Sequence, residues 1–283
     1  MIEPLEGETV RRLVAQALAE DVGAGDITTA AVVPPERPGR GRIVAREALV
    51  VCGLPLARET FAAIDPHTLF EEAMPEGSAA AAGATVAVVQ GSAAVILTGE
   101  RVALNFLQAL SGIATLARRA VEEVAGTGAV ILDTRKTTPT LRAIEKYAVR
   151  VGGARNHRSG LYDAVLVKDN HLAIAGGITA AVRRLRAAGR EPATIEVEVE
   201  SLDGALEALR AGVGHLLLDN FTPDRVAEAV RVIAGRATIE VSGGLRPGGL
   251  RAYAQAGVDF LSLGSLTHSA PAVDIALDME TEP

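Results

Sequence analysis

From Gly128 onward the chain repeats one rhythm, strand then helix, and no other feature narrows the fold as much. The runs AVILDT, DAVLVK, TIEVEVE, HLLLD, TIEVS and DFLSLG read as strands. Between them lie helical stretches such as Thr138–Val149, Leu202–Ala211, Pro223–Ala234 and Arg246–Ala256. Thr138 reads as an N-cap, with Pro139 in the first turn. Such alternation predicts parallel strands joined by right-handed crossovers. Six units fit an incomplete α/β barrel. An open doubly wound sheet is the runner-up, but no dinucleotide-binding glycine fingerprint follows the first strand.

The N-terminal part has a different texture. Val10, Leu13, Val14, Ala17 and Leu18 space a helix over Glu8–Glu20, and DVGAGDITT after it reads as a loop. RIVAREALVV, ATVAVVQ and AAVILTG read as strands of an antiparallel sheet, with an amphipathic helix over Leu56–Ile64. Thr98 is placed to cap a long helix from about Glu100 to Val124, a buried connector. The expected class is therefore α/β: an N-terminal α+β sandwich over residues 1–110 and a barrel over 111–283. The last helix is free to pack back on the first domain.

Net charge −7 argues against general nucleic-acid binding, though not against a local basic pocket. The single cysteine, Cys52, rules out an internal disulfide framework and fits a reducing, cytoplasmic setting. The acidic N-terminus carries no signal-peptide pattern, and no uninterrupted apolar run is long enough to span a bilayer. Among 28 basic residues only Lys136, Lys146 and Lys168 are lysines, all between Ala129 and Leu172. That clustering suggests positions where a compact ammonium serves and a planar guanidinium does not.

Barrel chemistry gathers at the carboxyl ends of the strands, and the polar residues fall there. The six ends carry Asp133-Thr134-Arg135-Lys136, Lys168-Asp169-Asn170-His171, Glu196/Glu198/Glu200, Asp219-Asn220, Ser242-Gly243-Gly244 and Gly264-Ser265. In the third strand, Ile195, Val197 and Val199 take one face and the glutamates the other. Carboxylates turned into a barrel need cations, and Lys136, Lys168, Arg135, Arg158 or a metal ion are the candidates. The glycine turns suit a phosphate. Asn156-His157-Arg158 precedes a strand, so topology alone does not bring it to the active face.

Taken together, TRKTTP, NHRSGLYDAVLVKDNH, EVEVES, LLLDNF, VSGGL and GVDFLSLGSLTHS resemble the quinolinate phosphoribosyltransferases. GDITT and ERVALNFLQALSGIAT extend the resemblance over nearly the whole chain. It implies phosphoribosyl transfer from phosphoribosyl pyrophosphate to quinolinate with decarboxylation, and a homodimer, open to higher assembly, with shared active sites. It also implies that Arg135, Arg158 and Lys168 bind the quinolinate carboxylates, with Thr134, Lys136 and His157 adjoining. Arg101 would enter the partner's site. Glu198 and Asp219 would hold Mg²⁺ and the ribose, Ser242–Gly244 and Leu263–Ser265 the phosphate, and His268 falls in the THS segment. Thr140 and Ala154 stand where the family commonly has glycine, which puts loop geometry in question.

Three other readings are weighed. Lys168 could form a Schiff base in an aldolase. A non-enzymatic relative could bind an anion only. A nicotinate phosphoribosyltransferase would need fewer cations than this pocket offers.

Overall fold

The computed structural model describes residues 2–34 and 36–280. The chain opens with helices α1 (Gly7–Asp21) and α2 (Ile27–Val32), then strands β1 (Pro38–Ala45) and β2 (Leu49–Val50). Next come α3 (Leu54–Ile64), β3 (Leu69–Glu72), β4 (Ala79–Ala80), β5 (Thr85–Ser92) and the long α4 (Ala93–Glu123). The repeating half runs β6 (Val130–Leu132), α5 (Arg142–Val151), β7 (Leu166–Val167), α6 (Asp169–Ala175) and α7 (Ile178–Ala187). It continues with β8 (Glu196–Val199), α8 (Leu202–Arg210), β9 (His215–Asp219), α9 (Pro223–Ile233) and β10 (Thr238–Ser242). It ends with α10 (Arg251–Gln255), β11 (Phe260–Ser262), α11 (Ser265–His268) and β12 (Ile275–Glu280).

Two compact units emerge, and they are interleaved in sequence rather than consecutive. The first takes the chain up to Arg118, Pro139–Gly153 and everything from Ala270; the second takes Arg119–Thr138 and Ala154–Ser269. In the first, β12, β1, β5 and β3 form an antiparallel sheet in that order. Its core buries Ile43, Val86, Val89, Leu54, Phe61, Ile96, Leu104 and Leu107. The chain end, expected as a helix, is a strand: Pro271 interrupts helical bonding, and IALDME zips antiparallel against β1 from Ala45↔Ile275 to Arg40↔Glu280.

AAVILTG, read as a strand, is the first seven residues, about two turns, of α4. Its buried positions are Ala93, Ile96 and Gly99, every third residue, so the apolar run serves one helical face. Thr98 is thus interior to the helix and not its cap; its hydroxyl donates to Asp26 Oδ2. Asp26 itself caps α2 within the expected loop, accepting from the Thr28 and Thr29 amides. Gly99 allows α3 and α4 to approach closely, since a Cβ there would sit 2.9 Å from the Phe61 ring. By length and composition α4 is apolar enough to cross a membrane, but its apolar side is core. Helix α5 starts at Arg142 and not at Thr138, because Thr140 is in the left-handed region at φ 70°.

The second unit is a six-stranded parallel sheet in the order β6-β11-β10-β9-β8-β7, so all six expected strands form and point the same way. The outer edge of β6 is bridged by Arg155 opposite Leu132, at the start of the segment that leads into β7. The helix expected over Arg246–Ala256 is reduced to α10, since Pro247-Gly248-Gly249 occupies its first turn. The sheet curls, because side chains from β8, from β10 and from the segment after Arg155 meet in its interior. This is the incomplete, barrel-like architecture that the alternation predicts.

Candidate active site

Because the strands are parallel, their carboxyl ends share one mouth. There Lys168, just after β7, pairs with Glu198 of β8. Asp219 closes β9, and register sets it beside Ser242 of β10. Its carboxyl is pushed above the usual range, first by burial and then by the Glu198 charge; Lys168 and Lys136 oppose this. Four predicted residues therefore share one electrostatic field.

Lys136 reaches the same mouth from the turn after β6. Its backbone N–H donates to Thr134 Oγ1 at 3.0 Å, and its carbonyl accepts from Thr267 Oγ1 at 2.7 Å. Its side chain crosses Gly264: a Cβ there would lie 2.9 Å from Lys136 Cδ and 3.2 Å from the His268 ring. So the Leu263–Ser265 turn, Lys136 and His268 form one edge. Gly243 is more tightly required. It has φ 101°, and a Cβ would meet Asn220 Oδ1 at 2.3 Å and Asn220 N at 2.7 Å. Gly244 also has positive φ.

Two predicted phosphate residues are spent on structure. The Leu263 amide donates to Leu132 O, and the Ser265 hydroxyl donates to Leu245 O at 3.2 Å, tying the two glycine turns together. Ser242, Gly243, Gly244, Gly264 and the Ser265 backbone are what remains to face an anion.

The Asn156-His157-Arg158 loop is joined to the barrel by a buried carboxylate. Asp133 accepts from Asn156 Nδ2 at 2.7 Å and from the His157 amide at 2.8 Å. Arg158 Nη1 donates to Ala164 O at 3.0 Å. Burial, then the neighbouring Arg135 cation, lowers the Arg158 pKa, so two guanidinium groups converge here. The His157 ring turns inward instead, its Nε2 3.2 Å from Glu196 Oε2 and 3.6 Å from Glu240 Oε1. Arg101 lies in the first unit on an exposed part of α4, beside Glu100.

A family model described as the quinolinate phosphoribosyl transferase C-terminal domain matches residues 113–278, and one for the N-terminal domain matches 26–111. The chain belongs to the quinolinate phosphoribosyltransferase family. A probable nicotinate-nucleotide pyrophosphorylase [carboxylating] of Synechocystis is 44% identical, over 93% of this chain and 90% of that one. The Mycobacterium leprae nicotinate-nucleotide pyrophosphorylase [carboxylating] is 42% identical, over 99% and 100%. The solved nicotinate-nucleotide pyrophosphorylase of Francisella tularensis superposes with TM-score 0.93 at 36% identity, covering 99% of each chain.

The sequence reading overlooked Glu240 and Ser262, on neighbouring strands beneath the mouth. The Ser262 hydroxyl donates to Glu240 Oε1. The signal was present: TIEVS alternates like EVEV, with Thr238, Glu240 and Ser242 opposite the buried Ile239 and Val241.

Proposed function

We propose that this chain transfers the phosphoribosyl group of phosphoribosyl pyrophosphate to quinolinate with decarboxylation, yielding nicotinate mononucleotide, CO₂ and pyrophosphate for NAD biosynthesis. It is thus a glycosyltransferase. What supports this reading is two pairs of cations in a chain of net charge −7: Lys136 and Lys168 in the field of Asp219 at the barrel mouth, and Arg135 beside Arg158. Two mutually repelling anions need such a cup to be held in attacking geometry, and positioning of this kind can supply several kcal/mol.

Arg135, Arg158 and Lys168 take the two carboxylates and orient the pyridine nitrogen toward the anomeric carbon. Glycine turns Ser242–Gly244 and Gly264–Ser265, with Lys136 and His268, hold the phosphate. As the bond to pyrophosphate breaks, positive charge on the ribose meets Glu198 and Asp219, which stabilise it electrostatically. Once the bond to nitrogen forms, the ring is a pyridinium. Loss of the adjacent carboxylate as CO₂ leaves its bonding pair on the ring carbon, a carbanion stabilised by the neighbouring positive nitrogen, and a proton then fills that position.

Glu198 and Asp219 fit Mg²⁺. They are hard oxygen donors at adjacent strand ends, and burial followed by the Glu198 charge raises the Asp219 pKa, so a cation placed between them would relieve both. When bound there, Mg²⁺ would neutralise the leaving pyrophosphate.

The Schiff-base alternative is weaker, since a Lys168 ammonium tied to Glu198 offers no lone pair to a carbonyl. We place the protein in the cytoplasm as a homodimer with Arg101 reaching the neighbour's site. Mixing inactive Arg101→Ala and Lys168→Ala proteins should then restore part of the activity, and no rescue after confirmed subunit exchange removes the shared site. The decisive assay is CO₂ release from carboxyl-labelled quinolinate, expected only with phosphoribosyl pyrophosphate present and lost on chelation of Mg²⁺. Binding of quinolinate without release would make the protein an anion binder instead.

A further inference from the structure

Beneath the mouth, inside the barrel, lies a polar cluster to which the proposed reaction assigns no step. His157 Nε2 faces Glu196 and Glu240, and Ser262 holds Glu240 from the far side. Among the described residues this is the one His/carboxylate grouping close enough to share a single ion. A cavity of about 340 Å³ opens below it, lined at the strand beginnings by Thr194, His215 and Thr238.

The ring's other nitrogen decides what the cluster does. The Arg158 backbone N–H donates to His157 Nδ1 at 2.6 Å, so Nδ1 carries a lone pair and the ring hydrogen is on Nε2. Nε2–H then points at the two carboxylates. A metal ion would require the opposite tautomer and would break the Arg158 contact, so the trio closes around a proton and not a cation. His157 is thereby occupied on both nitrogens: one holds the barrel interior, the other the peptide of Arg158. Arg158 is the next residue, and its guanidinium stands in the anion cup.

We infer that Glu196 and Glu240 are positioning residues for the diacid: Glu196 accepts from His157 Nε2–H, Glu240, held by Ser262, adds its negative charge 3.6 Å away, and together they fix the ring's tautomer and plane while His157 fixes the Arg158 backbone. This rests on the quinolinate reading of the cup above. Neither glutamate touches substrate. Their effect belongs to the geometry with which Arg158 meets a carboxylate, as outer partners orient a ligand-bearing histidine in a metal site.

Long-range ¹⁵N–¹H spectra of the wild-type protein, needing no substrate, test the premise. His157 is expected to show a protonated Nε2 and a bare Nδ1. A ring protonated on Nδ1, or on both nitrogens, overturns the inference. Kinetics test the consequence. In a Glu196→Leu/Glu240→Leu double variant with unchanged circular dichroism, KM for quinolinate should rise about tenfold, the worth of one well-made hydrogen bond. The KM for phosphoribosyl pyrophosphate and kcat should stay within about twofold, and Glu196→Gln/Glu240→Gln, which keeps a carbonyl acceptor, should restore most of the loss. An unchanged quinolinate KM in the folded leucine variant overturns the inference, as does failure of the glutamines to rescue. If the leucine variant does not fold, the wild-type spectrum still decides. Absence of CO₂ release by the wild type would remove the functional reading and leave the tautomer result standing.

Discussion

Glu196 and Glu198 leave the same strand on the same face, two residues apart, and enter different electrostatic regimes. Glu198 stands at the mouth against Lys168, whose side chain is 45% exposed. A half-exposed ammonium on a flexible stem can release its partner when a substrate anion arrives. Glu196 lies deeper, against a His157 ring only 14% exposed and a nearly buried Glu240, and its partners are all protein groups. The upper pair can be exchanged for ligands; the lower cluster is part of the scaffold. On the proposed function, one strand thus supplies both a working carboxylate and a structural one, and distance from the mouth separates them.

Lys168→Ala breaks the exchangeable region and carries the largest expected effect. The kcat/KM for quinolinate should fall about 10²–10³-fold, the scale for losing one group that meets reacting charge. Stability should fall by about 1–2 kcal/mol, because the Lys168 ammonium is half-exposed but the Glu198 carboxylate it leaves behind is largely covered. Steady-state kinetics and a melting curve check both halves, and near-normal turnover would erase the contrast.

Gly243→Ala probes the rim between the two regions. A left-handed φ costs an L-residue about 1–2 kcal/mol, and the new Cβ also meets backbone at Asn220. A loss of more than about 2 kcal/mol in denaturant unfolding is expected, with a raised KM for phosphoribosyl pyrophosphate. Gly264→Ala should cost less, because the atom it meets belongs to the flexible Lys136 side chain.

The scaffold region should reveal itself through pH. Burial, then the Glu196 charge, pushes the Glu240 carboxyl from the ordinary 4.5 up to about 7, with His157 and Ser262 opposing. A folded pKa above the unfolded one means the folded state holds a proton that the unfolded chain has released. The contribution is therefore full below pH 4.5 and is lost as pH rises through about 7. Unfolding free energy should fall between pH 4.5 and 7, by up to about 3 kcal/mol, and level off above that. Glu240→Gln should abolish it and Glu198→Gln should not; equal behaviour of the two would break the distinction.

Much of this was legible in the chain. The repeated strand–helix rhythm exposed all six barrel strands, because short apolar runs bounded by turn residues are local and survive without partners. The ordered motif set identified the family and named the cations proposed for the cup. Two local readings failed where a neighbour overrode propensity. AAVILTG became helix because its every-third face meets the first unit's core, and the chain end became a strand because β1 offered an open edge. The interleaving of the units, with α5 grouped away from the barrel strands that flank it, has no signature at all in linear order.

By itself the sequence determined the parallel alternating fold, the residue types at each strand end and the family, since these depend on spacing along the chain. Only the tertiary structure decided which carboxylate meets which cation. Glu240 and Ser262 join His157 from elements as much as about a hundred residues away, at a depth set by the curl of the sheet. Electrostatic partners inside a barrel are chosen by distance across it, and distance across a barrel is not written in the order of the residues.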